Sequence, residues 1–99
     1  MNEWVEPIAE EKQAPLYNEI VSTCNAIRDM LVRKNRSYGN SALEPVRIFS
    51  KASNIEQICV RIDDKLSRLV SGGEYPGDDT VDDLIGYLIL LKIARSKKP

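Results

Sequence analysis

The chain has 99 residues, 42% of them hydrophobic and 29% charged, with a formal net charge of −1. That length suits one domain with a limited core. The near-neutral charge argues against a general DNA coat or a strongly basic membrane-surface binder, so neither nucleic acid nor membrane is an expected partner.

Residues 1–14 carry Glu3, Glu6, Glu10 and Glu11 against Lys12, a net of −3, which leaves the remainder at +2. With Pro7 and no sustained period, this segment reads as a flexible acidic N-terminal arm, and 15–99 as a single helical domain. Pro15 suits the first turn of a helix, where its missing N–H costs nothing. From there Leu16, Ile20, Cys24, Ile27 and Leu31 recur at helical spacing on one face. Helix one is expected to end near Lys34 or Asn35. The run Lys34-Asn35-Arg36-Ser37-Tyr38-Gly39-Asn40-Ser41 follows, rich in turn formers, and Pro45 disfavours helix at Glu44. An ordered loop is expected here, because Tyr38, Leu43, Ile48 and Phe49 have apolar area to bury.

Ser53 and Glu56 match a capping box, in which hydroxyl and carboxylate satisfy free N–H groups reciprocally. Helix two then places Ile55, Ile58, Cys59, Ile62, Leu66 and Leu69 on one face. It ends at Ser71-Gly72-Gly73, where glycine permits a left-handed turn. After a loop over 74–79, Thr80 is expected to cap helix three, with Asp83 at the capping-box offset. Helix three is apolar on two sides: Val81, Leu84, Ile85, Leu88 and Leu91 on one, Gly86, Leu90 and Ile93 on the other. Such a helix is either central or shared with a partner. The fold class is therefore all-α: three main helices, an ordered loop between helices one and two, and a bundle completed by homo-oligomerisation, with Gly86 allowing close approach of the partner.

Cys24 and Cys59 both fall within apolar stripes and are expected to be buried thiols behaving as small hydrophobes. No spacing suits zinc. Nothing resembles a signal peptide, and the longest apolar stretch, Leu84–Leu91, is too short for a membrane span. The cytoplasm is the expected compartment.

Three polar features carry candidate chemistry. On helix two, Arg61, Lys65 and Arg68 form one stripe bordered by Gln57 and Asp64. It is either a grip for phosphate, through a guanidinium fork and an ammonium, or a solvated face in which Asp64 pairs with Arg68 at i, i+4. The loop supplies Lys34, Asn35, Tyr38, Gly39 and Ser41, joined by Arg47 and Phe49. These offer backbone amides, hydroxyls, cations and rings able to stack on a base, though no P-loop pattern is present. The rings are equally explained as loop anchors. Carboxylates at Glu56, Asp64, Asp79, Asp82 and Asp83 are an alternative Mg²⁺-ligand set. Helix capping already accounts for several of them, and Asp83 facing Arg68 is an equally natural pair. The chain has no histidine, so Ser–His and Cys–His nucleophiles are not available.

The ordered segments Lys34-Asn35-Arg36-Ser37-Tyr38-Gly39, Ser41-Ala42-Leu43, Arg47-Ile48-Phe49-Ser50-Lys51, Val60 to Leu69 and Asp82 to Leu88 resemble the nucleotide-modification-associated domain 1 family, small proteins frequent in bacteriophages and prophages. The resemblance covers about two-thirds of the chain. It implies that the basic stripe and the Tyr-Gly loop line one pocket, in the host-cell cytoplasm if the chain is phage-encoded. A more distant similarity is to the all-α MazG-type NTP pyrophosphohydrolases, oligomers that use Mg²⁺. Their paired ExxE and ExxD sets are incomplete here: Glu56 stands alone on helix two, and helix three offers Asp79 and Asp82. The expected function is nucleotide binding, or sequestration of a nucleotide-derived signal, without turnover and without a cofactor. It would serve host-defence evasion or phage nucleotide metabolism. The alternatives are a Mg²⁺-dependent nucleotide pyrophosphohydrolase and a helical protein-interaction module.

Overall fold

A computed structural model describes residues 9–45, 48–72 and 79–97. Those residues form four helices and no strand: α1 (Ala9–Lys12), α2 (Tyr17–Tyr38), α3 (Asn54–Ser71) and α4 (Thr80–Ser96). The last three are helices one, two and three of the sequence reading. Within the segment read as a loose arm, Ala9–Lys12 closes one turn, with Glu10 and Glu11 at its positive end and Lys12 at its negative end. Residues 1–8 of that arm lie outside the described residues.

The helix ends show which local signals decide. Ser53 Oγ accepts from Glu56 N at 3.1 Å, and Gly72 closes α3 in the left-handed conformation with its N–H on the Arg68 carbonyl. Helix α2 starts two residues later than expected, with Leu16 at the N-cap, and runs on to Tyr38 instead of stopping near Lys34 or Asn35. Its stop is Gly39, at φ 64° and ψ −154°, a region open essentially to glycine alone. Nothing before it in Arg36-Ser37-Tyr38 forces the chain out of the helix. At α4 the cap is Asp79, not Thr80: Asp79 Oδ1 accepts from Asp82 N at 3.0 Å, and Thr80 is the first helical residue, only 1% exposed. Either residue is a good cap by type. Burial of Thr80 assigns the role to its neighbour.

Helix α4 is the centre of the fold. It packs along α3 and, over a shorter stretch, against α2. Of its second apolar side, expected to be shared with a partner, Gly86 is buried and Leu90 half-buried within the chain, while Ile93 stays exposed. Gly86 lies at the seam with α2: a Cβ there would stand 3.0 Å from Leu31 Cδ2 and 3.3 Å from Met30 Cε. The close approach allowed by Gly86 is to α2 of the same chain.

The remaining packing is thin. Among the described residues the buried hydrophobic side chains are Ile27, Ile58 and Ala94. The radius of gyration is 16.0 Å, against about 13 Å for a compact domain of this length. The apolar stripe of α2 is buried only at Ile27. Towards the N-terminus Leu16 and Ile20 are 59% and 56% exposed, and Cys24 is exposed with them. Cys59 is exposed as well, so neither thiol is buried as the stripes suggested. The loop rings differ in the same way: Phe49 is 95% and Tyr38 72% exposed, Ile48 is exposed, and Leu43 alone of the four expected anchors is half-buried. Polar contacts tie the loop to α3 instead, with Asn54 Nδ2 donating to the Leu43 carbonyl and Gln57 Nε2 to that of Ala52.

The seam predicts a graded response at Gly86. Gly86→Ala meets flexible side-chain ends and gains helix propensity, so its stability should stay within about 1 kcal/mol of the parent. Gly86→Val overpacks the seam and should cost about 1–3 kcal/mol, read as a lower thermal midpoint by circular dichroism. Equal midpoints for Gly86→Val and the parent would contradict this packing.

Candidate functional site

A cleft of about 460 Å³ opens where the C-terminal half of α2, the loop after it, α3 and α4 converge. Its size lies within the range of small-molecule sites. Helix α2 and the loop supply Lys34, Asn35, Tyr38, Gly39 and Ser41, α3 supplies Arg61, and α4 supplies Asp83 and Tyr87. Met30, Leu31 and Leu90 form an apolar wall.

Asp83 fixes the electrostatics. Its Oδ1 accepts from Lys34 Nζ at 3.1 Å, and its Oδ2 is 3.2 Å from Lys65 Nζ. One carboxylate therefore ties α2 and α3 to α4. The carboxylate and Lys65 are 15% and 12% exposed, Lys34 52%. Partial burial opposes ionisation of Asp83, but hydrogen bonds from Lys34 and Lys65 and their charges outweigh it, holding the carboxyl below its ordinary value. The expected Asp83–Arg68 pair is thus replaced by lysines. Arg68 reaches Asp64 at 3.2 Å, the i, i+4 pair of the solvated-face reading.

The basic stripe therefore divides. Arg61 lines the cleft, Lys65 stands behind Asp83, and Arg68 is turned to Asp64. Among the described residues Arg61 has neither an ion-pair nor a hydrogen-bond partner. Of the loop candidates, Lys34, Asn35, Tyr38, Gly39 and Ser41 are gathered in the cleft, where Asn35 Nδ2 also donates to the Gly39 carbonyl at 3.3 Å. Phe49 is not part of the lining, and Arg47 lies outside the described residues. Met30, Leu31, Ala42, Tyr87 and Leu90 carry no site signal in the sequence and join the lining only through the fold. Leu31 and Leu90 were read as core or interface residues, which is the signal a cleft wall shares with a core.

The alternative carboxylate set does not converge. Among the described residues no three Cys, Asp or Glu side chains are placed to hold one ion. Asp79 caps α4, Asp64 meets Arg68, and Asp83 gives both oxygens to lysines. No known family model matches this chain, nor does any curated protein or solved structure.

The Asp83 tie makes stability depend on pH. Because the folded-state value is depressed, its contribution is complete above the ordinary aspartate value, about 3.9, and is lost as pH falls through the lower folded value. Asp83→Asn should cost about 1–3 kcal/mol at neutral pH, between the limits for exposed and buried pairs. Denaturant melts should show that gap closing below about pH 4. A gap unchanged across the acid limb would mean that Asp83 is not held as described.

Proposed function

We propose that the chain is a phage-type nucleotide-binding protein that holds a nucleotide, or a signal derived from one, in the cleft without turning it over. The observation that carries this reading is the convergence of Arg61, without a carboxylate among the described residues, with Lys34, Asn35, Tyr38 and Ser41 around a small-molecule-sized space. A guanidinium presents a planar fork to phosphate oxygens. Lys34 has three N–H donors and uses one on Asp83. The rings of Tyr38 and Tyr87 and the apolar wall suit a flat base. The phage-type assignment rests on the sequence resemblance alone, which points to the same class of ligand. Capping and lysine pairing already occupy Asp79 and Asp83, which favours a holder over a Mg²⁺-dependent hydrolase.

The protein works, in this reading, as a homo-oligomer. The exposed apolar stripe Leu16, Ile20 and Cys24 continues the stripe that α2 buries at Ile27, and so few buried side chains supply little stability alone. Sedimentation at micromolar concentration should give a dimer or larger, and Ile20→Lys should shift it towards monomer. A parent that is cleanly monomeric would overturn the assembly.

Arg61→Ala should weaken nucleotide binding by about 1.5–3 kcal/mol, roughly ten- to more than a hundredfold, with Arg61→Lys recovering only part. Arg68→Ala should leave binding nearly intact and cost at most about 0.5 kcal/mol of stability. Calorimetric titration with a nucleotide panel tests both. Equal affinities in parent and Arg61→Ala would place the ligand elsewhere, and steady release of pyrophosphate would favour the enzyme.

A further inference from the structure

The charged groups at the cleft are few enough to count. Lys34 and Lys65 share the carboxylate of Asp83, which leaves that triad one positive charge in surplus. Arg61 adds a second. Lys34, Arg61 and Asp83 are the charged residues of the lining itself, and Lys65 lies directly behind.

A phosphate monoester carries about −1.5 to −2 near neutral pH, which balances that surplus. A phosphodiester, with a single charge, leaves one cation unmatched. Each further phosphate of a di- or triphosphate adds negative charge that the lining has no cation left to meet. Nucleotide sites ordinarily meet such charge with Mg²⁺ held by carboxylates. The carboxylate in this lining, Asp83, already has a lysine at each oxygen, at 3.1 and 3.2 Å.

We infer that the cleft selects a nucleoside monophosphate, its terminal phosphate gripped by Arg61 and Lys34 and its base lying towards Tyr87 and the apolar wall of α2 and α4. This inference rests on the cleft being the nucleotide site proposed above.

Calorimetric titration of the full chain, in buffer with a chelator and no added Mg²⁺, tests it with five probes for each of four bases: the nucleoside, its mono-, di- and triphosphate, and its cyclic monophosphate diester. For the preferred base, the monophosphate should bind about tenfold or more tighter than the nucleoside, the diester and the triphosphate. Arg61→Ala should remove most of that preference while its ligand-free thermal midpoint stays at the parent value. A triphosphate bound as tightly as the monophosphate, with Arg61→Ala weakening both, would overturn the charge match and leave the nucleotide site standing. Binding of none of the probes, or of nucleoside and monophosphate equally, would overturn both.

Discussion

The carboxylate of Asp83 ties together the three long helices of this fold. Helix α2 touches the rest of the chain over a short stretch, at the Gly86 seam. One turn along α2 from Leu31, Lys34 reaches Asp83, which also meets Lys65 of α3. A pair at the surface contributes little on its own. Here one partly buried carboxylate serves two ammonium groups, and three helices are fixed relative to one another. The cleft lies beside this junction and borrows Lys34 and Asp83 from it. Seating of α2 and the shape of the cleft are thus one property of the molecule.

What was legible in the sequence was local. The Ser53 cap on Glu56 N, the Gly72 stop, and the Asp64–Arg68 pair are set by residues within four positions of each other. The Lys34–Asp83 contact joins residues 49 apart, and no periodicity encodes it. Cys24 and Cys59 carried the right spacing for burial and are exposed: Cys24 lies on a stretch of α2 whose stripe is left open, and Cys59 lies beside the line Ile55, Ile58 and Ile62 that α3 buries. Two adjacent cap formers, Asp79 and Thr80, could not be ranked until the burial of Thr80 was known.

The candidate site shows the same division. The Lys34–Ser41 segment was recognisable by its donors and its Tyr-Gly turn, and most of it lines the cleft. The stripe Arg61, Lys65 and Arg68 shares one helix face, yet it extends about 10 Å along the axis at 1.5 Å per residue. Of the three, Arg61 alone shares the cleft lining with residues of α2. So Arg61 is left to the cleft, Lys65 is drawn to Asp83, and Arg68 pairs with Asp64. Tyr87 had no local signal beyond its place on an apolar helix. The geometry of the crossing, which residue types alone do not specify, decided which cations became available to a ligand.

The central claim is that a phosphate-bearing ligand enters at this three-helix junction. Its most direct measurement is a two-dimensional NMR titration of the labelled protein with a nucleoside monophosphate, following backbone amides and arginine Nε–H groups. Shifts should be confined to Lys34–Ser41, the Arg61 side chain and the Gly86–Tyr87 turn of α4, with the Arg68 side chain and Phe49 unmoved. Shifts centred on Arg68 and Asp64, or on the loop around Phe49, would contradict it, as would saturating ligand that moves no resonance at all.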